Sequence, residues 1–175
     1  MGSKMDDKLN LIFGRRSIRS YTSEPVSEDA IRKLLEAAMA APSAAATDPW
    51  RFVVIRNRPL LDRITAALPH GKMLGSAPLG IVVCGDIEAA HTKQLSYLLQ
   101  DCSAAIENLL LAAHILGLGA CWLGVHPRED RIQSIREILN LKPNLIPVSC
   151  LAIGHPAETK EPRTRFNPDY VRMEN

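Results

Sequence analysis

At 175 residues the chain has the length of one substantial domain, and 46% hydrophobic against 23% charged residues is the balance of a folded globular protein. Twenty-one Lys and Arg against nineteen Asp and Glu leave a net charge of only +2, too little for a polycation that coats nucleic acid. No run reaches the roughly 18 apolar residues of a membrane span and no signal-peptide core opens the chain, so a soluble cytoplasmic protein is expected.

The elements alternate along the chain. A short amphipathic segment, Lys8 to Phe13, leads into the basic stretch Gly14-Arg15-Arg16-Ser17-Ile18-Arg19-Ser20-Tyr21. Ser27 is a good N-cap, Glu28 and Asp29 suit the positive end of a helix, and Ile31, Leu34, Leu35, Ala38 and Met39 share one face. After the small-residue loop Ala41 to Pro49, the β-branched run in Arg51–Arg56 predicts a buried strand. Pro59 opens a helix with Leu60, Leu61, Ile64 and Leu68 on its apolar side, and Pro69, Gly71 and Gly75 make a loop. Leu79 to Cys84 reads as a second interior strand.

Gln94 to Leu116 predicts the longest helix. Its polar side chains between 100 and 114 (Gln100, Asp101, Ser103, Glu107, Asn108, His114) cover less than half of the circumference. Such a helix must be buried on several sides, which in so small a protein suggests a second subunit. Gly117-Leu118-Gly119 stops it, and Ala120 to Val125 is a third strand. Pro127 opens a helix carrying Ile132, Ile135, Ile138 and Leu139, and Val148 to Ile153 is the fourth strand. The tail from His155 to Asn175 shows no helical period. The pattern is α/β or α+β in three layers, and it does not fix strand direction.

Several chemistries are absent from the sequence. There is no C-x-x-C, no H-E-x-x-H, no G-x-S-x-G elbow and no phosphate-binding P-loop, so a metal site, a serine hydrolase and a P-loop enzyme are not expected. Cys84, Cys102, Cys121 and Cys150 read as buried, reduced thiols. Three segments remain. Arg15-Arg16-Ser17-x-Arg19 and the tail pair Arg163-Thr164-Arg165 could converge on one polyanion, since guanidinium forks match phosphate oxygens; a single such cluster reads first as a solvated basic turn. Pro42 to Trp50 lets backbone groups approach a flat ligand, or simply joins helix to strand. Gly117 to Gly124 permits close backbone approach, or is a helix stop before a buried strand.

Together these segments resemble the nitroreductase family. The resemblance rests on Arg-Arg-Ser-x-Arg at 15–19, Ala-Pro-Ser-(x)5-Pro-Trp at 41–50, Leu-Leu-Ala-Ala-His-x-Leu-Gly-Leu-Gly-x-Cys-Trp-Leu-Gly at 110–124, and Arg-x-Arg at 163–165. It runs from about Leu11 to Arg165. It implies an α+β fold, a three-layer α/β/α sandwich with an antiparallel-dominated sheet, built as an intertwined homodimer. The whole of 1–175 would be one domain, with 1–8 and 166–175 peripheral. It further implies FMN as cofactor, NADH or NADPH as hydride donor, and small electron acceptors such as nitroaromatics or quinones, reached by a ping-pong mechanism. A flavin-binding carrier or regulator without turnover is the alternative.

By the same resemblance, Arg15, Arg16, Ser17 and Arg19 would hold the FMN phosphate and ribityl chain, with Arg163 and Arg165 completing the phosphate site. Pro42, Ser43, Ala44, Ala45 and Ala46 would lie along the flavin ring from the partner subunit. Trp122, Leu123 and Gly124 would face the ring, the last two through backbone N–H groups. No protein residue is expected to act as acid or base, and neither metal, nucleic acid nor membrane is expected as a partner. The chain departs from the family at two places: the usual loop reads Pro-Ser-x-x-Asn-x-Gln-Pro-Trp, whereas Ala46 and Asp48 stand here for Asn and Gln. Ala46 offers no side-chain hydrogen bond, and ionised Asp48 only accepts.

Overall fold

The computed structural model describes residues 4–174, with side chains described from residue 8 onward; the outermost part of the segments expected to be peripheral lies outside them. Five helices and four strands follow in the order α1 (Lys4–Phe13), α2 (Glu28–Met39), β1 (Trp50–Ile55), α3 (Arg58–Ala67), β2 (Leu79–Asp86), α4 (Leu95–Ile115), β3 (Gly119–Gly124), α5 (Glu129–Leu139) and β4 (Leu145–Gly154). The caps explain the helix starts: Ser27 accepts from the Ala30 N–H, and Asn57 accepts from that of Leu60, with Pro59 in the first turn. Pro127 does not open α5 but lies in the turn before it, two residues short of Glu129.

The strands form one sheet in the order β1-β2-β4-β3, and every pairing is antiparallel. Helices α2 and α4 cover one face, α3 and α5 the other. Leu79, Ile81 and Val83 of β2 enter the α2/α4 core, while Val82 and Cys84 enter the α3/α5 core. Burial on both faces is why the strands read as unbroken apolar runs. A bulge at Val148, between the pairs Val83↔Ser149 and Cys84↔Pro147, shifts the phase of β4. Ile146 and Val148 therefore face the same helices as Leu151 and Ile153. Pro147 and this bulge hide the strand's first half from sequence reading, which begins it at Val148.

The four thiols are free and buried, and burial pushes Cys84, Cys102 and Cys150 up to about 12. Among the described residues no helix is long and apolar enough to cross a membrane, and no cluster of metal-ligating side chains occurs. One helix is exceptional in its surroundings. α4 buries Leu98, Cys102, Ala105, Ile106, Leu109, Leu110 and Ala113, yet Leu95, Tyr97 and Ile115 remain exposed. Asp101, expected on the polar side of α4, is buried.

β3 is an edge strand, and the basic segment after α1 comes alongside it. Ser17 forms an isolated parallel bridge with Ala120, where the Ile18 N–H donates to the Ala120 carbonyl at 3.0 Å. This approach needs Gly119, because a Cβ there would sit 2.7 Å from Cγ2 and 2.8 Å from Cβ of Ile18. A Gly119→Ala variant is expected to lose about 1–3 kcal/mol of stability through overpacking, measured as a lower urea midpoint.

Candidate cofactor site

The segment Arg15 to Tyr21 is fixed from three directions. Its edge is bonded to β3, as above. Beneath it, the buried Tyr21 hydroxyl sits 2.5 Å from the Ile18 carbonyl and 3.0 Å from that of Ala152, and burial raises its pKa so that it stays a donor. From outside, the tail closes on it. Glu158 Oε1 accepts from the backbone N–H of Arg19 and of Ser20, and Lys160 donates to the Ser17 carbonyl at 2.7 Å. Glu158 and Lys160 also pair with each other at 3.1 Å.

The same returning tail brings the two arginine clusters together. The Arg163 N–H donates to the Phe13 carbonyl at 3.0 Å, and Arg16 donates to the Glu161 carbonyl. As a result Arg15, Arg16, Arg163 and Arg165 line one open cavity of about 580 Å³, together with Ile12, Phe13 and Phe166. Among the described residues only one of the four guanidiniums has an acidic partner, Arg15 with Glu107 at 3.2 Å on α4. That pair is partly exposed and therefore weak. The donor set suits a phosphate dianion. A neighbouring cavity of about 280 Å³ shares Arg15 and Arg16 and reaches His114, Glu158 and Lys160.

Arg19 goes elsewhere. It lines a third cavity, of about 170 Å³, with Cys121, Trp122, Leu123 and Gly124. Running parallel to β3, the strip from Arg15 to Arg19 spans up to about 13 Å at the extended rise of ~3.3 Å per residue and links the arginine cavity to the end of β3. Alternation decides which backbone groups there are free. Ala120 presents its carbonyl to Ile18, so Trp122 and Gly124 also face the outer edge. Leu123 is turned to β4, like Val125, whose N–H donates to the Val148 carbonyl at 3.2 Å. Of the pair expected to offer N–H groups, Gly124 is open and Leu123 is not, with Trp122 taking its place. An added Cβ at Gly124 would meet nothing nearer than the His126 carbonyl at 4.0 Å, so a ligand could approach this backbone closely.

The loop Pro42 to Asp48 lines none of these three cavities. It lies against the first half of α4, where the Ala44 N–H donates to buried Asp101 at 2.9 Å. Asp101 to His114 is 13 residues, roughly 20 Å at the helical rise, which separates the loop from the arginine end of the same chain. The loop is strained: Ala45, Ala46 and Asp48 have φ of 52°, 54° and 47°. Position 46, where the family places Asn, thus needs a left-handed backbone that Asn tolerates better than Ala. Asp48 serves the loop itself. Its Oδ1 receives the Ser43 hydroxyl at 2.5 Å and its N–H donates back to that hydroxyl at 3.0 Å.

The chain has relatives among known proteins. A family model described as the nitroreductase family matches residues 12–71 and 66–155. The chain belongs to the nitroreductase family. It is 46% identical over 172 residues to a Methanothermobacter thermautotrophicus protein provisionally named NADH dehydrogenase/NAD(P)H nitroreductase, covering 98% of this chain and 88% of that one. The crystal structure of a similarly named Parabacteroides distasonis protein superposes with a TM-score of 0.90 at 37% identity, covering 97% and 98%. A provisionally named nitroreductase from Desulfovibrio desulfuricans, solved in complex with FMN, gives 0.85 at 36%, covering 100% and 99%. The α+β architecture read from the sequence is thus that of the family.

Sequence reading did not single out Asp101, Glu158 or Lys160, because a polar residue on a long helix and two charges in a tail look like solvated surface. Only the contacts distinguish them. The backbone N–H of Arg19, then the Lys160 ammonium and the N–H of Ser20, hold the Glu158 carboxyl below the usual carboxylate range. A group whose folded pKa is lowered adds stability above its unfolded value, near 4.3, and loses it as pH falls through the folded value. Protection of the Arg19 and Ser20 amides from hydrogen exchange, taken relative to the intrinsic rate at each pH, is therefore expected to fall below about pH 4. Glu158→Gln should show faster exchange already at pH 7.

Proposed function

We propose that this chain is an FMN-dependent NAD(P)H oxidoreductase that reduces small acceptors such as nitroaromatics or quinones by a ping-pong mechanism. The observation that carries the reading is the convergence of Arg15, Arg16, Arg163 and Arg165 on one cavity, joined by the Ser17–Arg19 strip to the open backbone of Trp122 and Gly124. When bound, FMN takes hydride from the nicotinamide and passes electrons to the acceptor. The chain does the rest. The four guanidiniums would neutralise and fork the phosphate, and Ser17 would meet the ribityl chain. The open N–H of Gly124 and the edge at Trp122 orient the ring and present dipoles where charge develops.

The working unit is a homodimer. Leu9, Leu11 and Ile12 on α1, Ile115 and Leu116 at the end of α4, and Phe166, Tyr170, Val171 and Met173 in the tail are all exposed in the single chain. So much exposed apolar surface calls for a partner. The strained Pro42–Asp48 loop, remote from the arginines of its own chain, would then cover the ring of the partner. Residues 1–175 act as one domain in this reading.

The purified protein is expected to be yellow, to bleach anaerobically with NADH or NADPH, and to sediment as a dimer at micromolar concentration. Colour without bleaching would instead fit a flavin carrier. Arg15→Ala and Arg165→Ala each remove a charge-assisted bond worth roughly 1.5–3 kcal/mol, so FMN should bind about ten- to a hundred-fold more weakly. Parental affinity in both variants, measured by FMN titration, would show that the phosphate lies elsewhere.

A further inference from the structure

The cavity at the end of β3 carries two guanidiniums, Arg19 and Arg131, and an imidazole, His70, and among the described residues no carboxylate lines it. Arg131 stands in the first turn of α5, where the sequence offers nothing to distinguish it from an ordinary solvated arginine. Its surroundings do distinguish it. Nη1 donates to the Gly124 carbonyl at 2.9 Å, yet Nε is buried and has no acceptor. Among the described residues, neither Arg131 nor Arg19 belongs to an ion pair. A buried donor left unpaired is destabilising. The cavity therefore has an excess of positive charge and an unpaired donor, which an acceptor-rich, anionic group would complement.

The identity of that group follows from the FMN reading, on which this inference rests. Hydride transfer moves two electrons and one proton from NAD(P)H to the ring. NAD(P)+ departs with the balancing positive charge, and the ring is left one unit more negative. We infer that Arg131, together with Arg19, holds this added charge at the ring edge. Arg131 thereby favours the reduced over the oxidised cofactor while its other arm anchors the end of β3. A purely structural Arg131 would support both oxidation states equally, which is what separates the two roles.

The test uses the full chain with Arg131→Met, Arg131→Gln and Arg131→Lys, titrated with FMN once oxidised and once anaerobically with chemically reduced FMN. In the Met and Gln variants, reduced FMN is expected to lose about ten-fold more affinity than oxidised FMN, a potential lower by about 30 mV for a two-electron couple. Arg131→Lys should recover most of that difference. Arg131→Gln retains a donor for the Gly124 carbonyl and carries the test should Arg131→Met fail to fold. Equal losses in the two states, or no loss in either, overturn the inference while leaving the FMN reading intact. A parent chain that binds FMN in neither state overturns both.

Discussion

The short stretch from Arg15 to Tyr21 adds to the edge of β3 through a single backbone bond at Ile18, and the placement of the whole site follows from it. Without that bond the arginines at 15 and 16, the strip at 17–19 and the backbone at 122–124 would have no fixed relation. Three other features serve the same contact. Gly119 leaves room for Ile18, Tyr21 ties the segment to β4 from below, and Glu158 with Lys160 seals it from the tail side. One edge hydrogen bond is weak by itself. Its persistence comes from the packed and charged groups that surround it on both sides.

The sheet supplies the rigidity that such an edge requires. With helices on both faces, β2 and β4 contribute almost only apolar side chains, which pack into two separate cores and hold the strands between them. Only at the Val148 bulge does the phase change. There the Val148 carbonyl accepts from Val125 and His126 and so fixes how the chain leaves β3 beside the third cavity. Rigidity in the sheet contrasts with strain in the loop after α2. Three left-handed residues in that loop persist because Asp101 holds Ala44 and because Ser43 and Asp48 close on each other. Strain of this kind is stable only when its surroundings over-determine it.

Charge is distributed with the same economy. The arginine cavity and the β3 cavity lie at two ends of one strip, and both are rich in guanidinium and poor in carboxylate. The acidic residues of the region are spent on backbone amides, as Glu158 is, or on a half-exposed pair, as Glu107 is with Arg15. A ligand with a phosphate at one end and a ring that gains negative charge at the other is complementary to that arrangement.

The sequence by itself determined the elements and the family. Apolar periodicity places four of the five helices and the four strands because each must bury one stripe or two faces, and the motifs at 15–19, 41–50, 110–124 and 163–165 carry the family resemblance. Other facts lay beyond its reach. That Arg15 meets Arg165, that Arg19 leaves its neighbours for another cavity, that Leu123 faces β4, and that Asp101 is buried depend on contacts between residues far apart in the chain. Local pattern reports which side of an element is apolar. It carries no information on what lies opposite, so the partner of a polar side chain is decided only when the tail, the edge strand and α5 come together in space.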